Sequence, residues 1–415
     1  MRTDPQFHQL PLLGDASYPA PDMSVGAKFA FLACIAACFF VLALLVRGKQ
    51  ILQARREDRR SAAQEAVGDA PGEEHCQGED VELPTVPVSE QFLAVAAQAP
   101  GRVALVYPSA TGARVEMTYG ELAERVRCVA RQLAALGVKK GDIVALNMFR
   151  GAHMVVATYA VFLAGAAWVP VDPEVPAERK LELVRDSQAK VVVTQAGLGE
   201  SVAELTCAKA EIAVDGSTLL VGGSAVTAAE SEELPVVSLT DAAIILYTSG
   251  TTGKPKGIIY SHQHVNHGSN TMADLCELTP GSVAFLKTPF IWAVVEWELF
   301  PALVRGAKLV VATASGHKDP VYLCDTVAKE KVTALVMAPK VLDLLFDVHA
   351  SGGQLASLKN VVAVGEGFPI AMAQRCVSLR NFPAKVHNVY GASESSATVW
   401  TVPREGVDTR VWTGK

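Results

Sequence analysis

The chain has 415 residues, more than one ordinary hydrophobic core accommodates, so one large or two to three smaller domains are expected. Half of it is hydrophobic and 19% is charged, as in globular proteins; a net charge of −6 with no long basic stripe gives nucleic-acid binding no electrostatic support. The eight cysteines form no CxxC pair, which argues against a zinc pattern or a disulfide framework and fits free thiols in a reducing compartment.

Residues 1–28 form a short segment with Asp4, Asp15 and Asp22 against only Arg2 and Lys28. Residues 29–46, FAFLACIAACFFVLALLV, carry no charge. As a helix this run is about 27 Å long, near the thickness of a bilayer core, which predicts one transmembrane helix. Arg47, Lys49, Arg55, Arg56, Arg59 and Arg60 follow it and place its C-terminal side in the cytosol. A buried globular helix and a cleaved signal peptide are the rival readings. A signal peptide carries its charge before the apolar run and a small-residue cleavage site after it; here Arg-Gly-Lys follows. The shortness of the span favours the endoplasmic reticulum. Residues 47–88 are basic and then acidic, rich toward the end in Ala, Gly and Pro, and read as a disordered tether.

The body is expected from Ser89 to the end, residues 89–415. EQFLAVAAQA has helical spacing, and RVALVY and RVEMTY are short strands. GELAERVRCVARQLAAL puts Leu122, Val126, Val129, Ala130 and Leu133 on one helix face and stops at Gly137. DIVALNM is a buried strand, AHMVVATYAVFLAG a mostly apolar helix, and KLELVRDSQ with KVVVTQ a further helix and strand. KLVVAT, ALVMAPKVLDLLFDVH, NVVAVGEG and KVHNVYG continue the alternation. Val- and Ile-rich runs alternating with helices predict an α/β fold with layered, largely parallel sheets and flanking helices. The spacing alone does not fix how many sheets there are.

The strand AAIIL leads into LYTSGTTGKPKGIIYSH, residues 246–262. Glycines permit close approach and positive φ, backbone N–H groups and the hydroxyls of Thr248, Ser249, Thr251 and Thr252 can donate to an anion, and Lys256 can supply charge to phosphates. A Walker A loop is excluded, because Gly250 and Gly253 are separated by two residues and Pro255 follows Lys254. A flexible polar surface loop is the bland alternative. His262, His264 and His267 form H-x-H-x-x-H; a metal site is the less favoured reading, and His264 and His267 are expected on a helix surface.

This loop resembles that of the adenylate-forming enzymes: acyl-CoA synthetases, luciferases and the adenylation domains of nonribosomal peptide synthetases. The resemblance covers about residues 89–412. It extends to MTYGELAERV, to FLAGAAWVPVDPEVPAER and LKTPFIWAVVEWELFPALVRGAKLVVA of the peptide-synthetase branch, to VGEGFP and to NVYGASESSATVW. It implies the large N-terminal domain of that fold and activation of a carboxylic acid by ATP to an acyl-adenylate, with release of pyrophosphate. It implies that Thr248, Ser249, Gly250, Thr251, Thr252, Gly253 and Lys256 hold the outer phosphates and that Glu394 binds Mg²⁺. Tyr390 would stack on adenine beside Asn388 and Gly391, with Gly365, Glu366 and Gly367 lining the base pocket. Ser393 keeps the hydroxyl that the family's Thr places near the α-phosphate, and His262 matches a histidine common after the loop.

Two departures matter. Amino-acid-activating members carry an Asp that pairs with the substrate ammonium, and the shared Trp297-Glu298 aligns Ala293 with it. Val294, Trp297, Val389, Ala397 and Thr398 match other pocket positions and are mostly apolar, so a carboxylic acid without an α-amino group is expected, a degenerate pocket being the rival. The family's ribose-binding Asp, hinge and small C-terminal domain with its lysine have no match before Lys415. The acceptor (CoA or a phosphopantetheine carrier protein) would then be supplied separately. The alternative is a membrane-tethered ATP- or acyl-binding pseudoenzyme without turnover.

Overall fold

The computed structural model describes residues 82–109, 111–205, 207–213, 216–229, 233–248, 256–393 and 397–403. They fall in one compact unit, Val81–Lys415. The apolar run 29–46 and nearly all of the expected tether lie outside the described residues. Among the described residues no helix is long and apolar enough to cross a membrane. The described residues begin a little before Ser89, the expected start of the body. The Pro84 carbonyl accepts a bond from Asn266, and Val88, fully buried, opens the helix Val88–Gln98.

Among the described residues there are two eight-stranded sheets. The first runs, edge to edge, through Thr398–Thr401, Lys385–Tyr390, Asn360–Val364, Ala334–Met337, Val283–Leu286, Lys308–Val311, Val103–Pro108 and Arg114–Thr118. Its six inner strands are parallel and its two outer strands antiparallel. The second runs through Lys256–Ser261, Ala242–Thr248, Ala167–Val171, Ile143–Asn147, Val191–Gln195, Ala208–Ile212, Leu219–Val221 and Ser224–Ala225. Five of these are parallel, and hairpins turn the ends antiparallel. Parallel strands covered on both faces must be apolar along their whole length, which is why NVVAV and AWVPV are buried at every residue.

Helices fill the space between the sheets. Ala152–Leu163 buries every residue but His153, as expected of a helix apolar all round. One core cluster joins it to Leu105 and Leu309 of the first sheet and to Val144 and Ile244 of the second. Tyr119–Ala135 starts in a capping box: Thr118 Oγ1 accepts from the Glu121 N–H at 3.2 Å, and the Glu121 carboxylate accepts from the Thr118 N–H at 2.7 Å.

Candidate active site

In parallel sheets, ligands gather beyond the carboxyl ends of the strands. Here those ends carry Gly365, Gly391 and the Lys287–Ala293 segment in the first sheet, and Thr248 in the second. The two sets meet. Arg150, just past Ile143–Asn147 of the second sheet, is buried and donates to the carbonyls of Thr288 at 3.1 Å, Thr313 at 2.6 Å and Ala314 at 3.0 Å, all beyond strands of the first.

The expected phosphate loop lies between the antiparallel partners Ala242–Thr248 and Lys256–Ser261, with Lys256 opposite Thr248. It therefore joins two strands of a hairpin. Ser249, Gly250, Thr251, Thr252 and Gly253 lie outside the described residues. Lys256 is exposed. At the hairpin base the Tyr247 hydroxyl donates to Asp186 at 2.6 Å, and its ring lies over Gly257, where a Cβ would meet the ring at 3.2 Å. Further along, Tyr260 donates its hydroxyl proton to the Ser393 carbonyl at 2.7 Å. This bond sets the hairpin beside the turn that follows Tyr390. Glu394 lies outside the described residues.

Around Tyr390 the surface is open. Its ring is 74% exposed, Gly365 has φ +94, and a Cβ on Gly365 or Gly367 would meet nothing within 4 Å. An exposed aromatic face beside uncovered glycines fits a planar base. Glu366 is engaged elsewhere, since its carboxylate accepts from the Lys340 N–H at 2.7 Å at the start of Pro339–Gly352. Asn388 is half-buried in its strand, between Ala363 and Trp400, and Thr398 pairs with Tyr390.

The expected acid pocket is only partly assembled in one place. Val294, Trp297 and Val389 share an apolar cluster with Met272, Cys276, Val336 and Val364. Ala293 packs instead on the large central cluster, and Ala397 and Thr398 are exposed. Beside this cluster a cavity of about 10 Å³, room for roughly one water, is lined by Met272, Cys276, Trp297, Glu298 and Val336 among others.

The three histidines separate by environment. Ser261 caps His262–Leu275, accepting from the His264 N–H at 3.2 Å. His262, on the first turn, is 1% exposed, packs edge-on against Phe162, and neither ring nitrogen has a hydrogen-bond partner. Burial lowers its pKa to about 4, so the ring is neutral. His267 is exposed as expected. His264 departs from its expected surface position: it is half-buried, its ring lies 3.9 Å from that of Tyr260, and Nε2 is 3.4 Å from Glu296 Oε1. Among the described residues no group of three His, Cys, Asp or Glu could hold a metal ion.

The AMP-binding enzyme family model matches residues 92–414. The chain belongs to the AMP-binding enzymes. Tyrocidine synthase 3 of Brevibacillus parabrevis is 33% identical over 313 residues, which are 75% of this chain and 4% of that protein. This AMP-binding chain thus spans a small part of the curated relatives it matches. The nonribosomal peptide synthetase FmoA3 in its AMPPNP-bound form superimposes with a TM-score of 0.69 at 26% identity, over 82% of this chain and 34% of that one. The Klebsiella oxytoca NpsA N-terminal subdomain shares the fold, with a TM-score of 0.65 at 24% identity over 78% of each chain.

The sequence reading of this AMP-binding domain gave no role to the buried charges Lys287, Glu298 and Arg150. Glu298 is 2% exposed and accepts four bonds: from Lys287 Nζ, the Lys287 and Thr288 N–H groups and the Thr288 hydroxyl, at 2.7–2.8 Å. A carboxylate so far from water needs this full set of donors. The signal was a charged pair, Glu296 and Glu298, inside an otherwise apolar run. Arg150 and Tyr260 carried no such mark, because their partners are carbonyls far away in sequence.

Proposed function

We propose that this chain catalyses the first half-reaction of an AMP-forming ligase. A substrate carboxylate oxygen attacks the α-phosphorus of ATP, the bond to the bridging oxygen breaks, and pyrophosphate leaves, giving an acyl-adenylate. The observation that carries this reading is the Tyr260–Ser393 bond, which sets the phosphate hairpin beside the Tyr390 turn. In-line displacement then rests on positioning and charge neutralisation, with no protein nucleophile.

In this reading Thr248 through Gly253 and Lys256 hold the outer phosphates, Tyr390 stacks on adenine above Gly365 and Gly367, and Ser393 faces the α-phosphate. Mg²⁺, held by Glu394, would neutralise phosphate charge as the bond breaks. Ala293 offers no partner to an α-ammonium, and an unpaired ammonium there would be costly. The acid therefore lacks an α-amino group. The acyl acceptor is CoA or a phosphopantetheine carrier protein. The apolar run 29–46 anchors the domain on the cytosolic face of a membrane, the endoplasmic reticulum being favoured.

Acid-dependent exchange of labelled pyrophosphate into ATP tests the activity. Exchange with an acid, lost in Lys256→Ala, is the expected result. ATP binding without exchange for any acid would replace this reading with the pseudoenzyme.

A further inference from the structure

Glu296, His264 and Tyr260 form a short series that runs from one helix, across a second, to the phosphate hairpin. Glu296, on the helix Val295–Val304, is 4% exposed. A carboxylate that far from water needs donors, and it has two: His264 Nε2 lies 3.4 Å from Oε1, and the Trp297 side chain also hydrogen-bonds it. The two helices lie close at this pair, since a Cβ on Gly268, one turn beyond His264, would already touch the Trp297 indole nitrogen at 3.4 Å. The bond to Glu296 raises the His264 pKa and keeps the Nε2 proton directed at the carboxylate. The other side of the series is the ring of Tyr260, whose centroid lies 3.9 Å from that of His264 with the planes 31° apart. Tyr260 is 5% exposed, and its hydroxyl donates to the Ser393 carbonyl at 2.7 Å. That hydroxyl is at the far end of the side chain, so a small tilt of the ring moves it by more than a hydrogen bond tolerates. Stacking on a ring that is itself bonded to a buried carboxylate removes this freedom.

Building on the proposed activation of an acid, we infer that His264, braced by Glu296, is a positioning residue: it holds the Tyr260 ring so that its hydroxyl fixes Ser393, the residue whose own hydroxyl faces the α-phosphate. Neither the imidazole nor the carboxylate touches substrate. Together they contribute a place for the α-phosphate that is formed before the nucleotide arrives. A pair that merely fastened two helices would contribute stability alone. The series also reaches the other reactant. Trp297, which bonds the Glu296 carboxylate, packs in one cluster with Val294 and Val389 of the expected acid pocket. Indole, carboxylate, imidazole and phenol thus connect that pocket to the Ser393 turn, the two places that an in-line attack must bring together.

The test uses the 415-residue chain and reads calorimetric binding of AMP and of adenosine, which differ by the α-phosphate. His264→Gln keeps a donor facing Glu296 and removes the stacked ring, whereas Tyr260→Phe keeps the ring and removes the hydroxyl. Each should weaken AMP by about five- to tenfold, as for loss of one hydrogen bond, and leave adenosine within about twofold. The double variant should bind AMP no more weakly than either single one, because His264 acts through Tyr260. Equal weakening of AMP and adenosine in His264→Gln overturns the inference, as does a loss of stability with AMP affinity unchanged, or an additive loss in the double variant. Tyr260→Phe alters no packing, so unchanged AMP binding in that variant overturns the inference even where His264→Gln does not fold. A wild-type chain that binds neither ligand overturns the inference together with acid activation. The expected AMP pattern without pyrophosphate exchange for any acid sinks activation and leaves the role of His264 standing. Exchange with AMP affinities that the variants do not shift does the reverse.

Discussion

The proposed nucleotide edge and the proposed acid wall lie at the same ends of the strands and are built in opposite ways. Around Tyr390, Gly365 and Lys256 the side chains are exposed and the glycines uncovered. At Lys287, Thr288 and Glu298 the polar groups are hydrogen-bonded to one another, and both charges are buried. One edge is a surface on which a ligand completes the packing. The other is part of the core and has its shape before any ligand arrives. Changes at the first should therefore alter rate or affinity with little effect on folding, and changes at the second should alter stability first.

Glu298→Ala gives the largest expected effect. It leaves Lys287 buried without its partner and should destabilise the fold by about 3–5 kcal/mol, read by denaturant unfolding. An unchanged midpoint would mean that the acid wall is not part of the core.

Lys256→Ala should reduce pyrophosphate exchange by about 10²–10³-fold, as for loss of one preorganised charge donor, with the unfolding midpoint unchanged. A large fall in stability would erase the contrast between the two edges.

His262 sharpens the contrast through pH. The unfolded chain binds a proton on this ring near 6.5 and the folded chain only near 4. The stability present above pH 6.5 is thus lost as pH falls toward 4, by on the order of 3 kcal/mol. His262→Phe should flatten that slope in unfolding experiments run across this range. A catalytic imidazole would instead show itself in the pH profile of exchange. The smallest effect is expected at Thr118→Ala, far from both edges. Loss of the cap should cost about 1 kcal/mol of stability and leave exchange untouched.

Much of this was legible in the sequence because it is local. The valine runs of the parallel strands, the apolar helix Ala152–Leu163 and the apolar face of Tyr119–Ala135 follow from periodicity and from residues three or four apart. The number of sheets was not legible, because it depends on which strands pair across hundreds of residues. The three histidines share one helix, and the family resemblance alone set His262 apart. Packing placed that ring against Phe162 and set His264 between Tyr260 and Glu296. Glu366, expected at the base pocket, bonds the start of a helix whose approach no motif reports.

The pairing of Val103–Pro108 with Lys308–Val311 also sets a timetable. The hairpin Val103–Thr118 leaves the ribosome early, but the strand that covers its inner edge is about 200 residues away. At ordinary synthesis rates that is a wait of roughly 10–40 s. Throughout it, Leu105 and Val106 lie on an unpaired apolar edge of the kind that recruits other chains. The first sheet therefore closes late, around its earliest strand. The yield of folded protein should depend on what shields that strand during the wait, and a chaperone that binds short apolar segments is suited to the task.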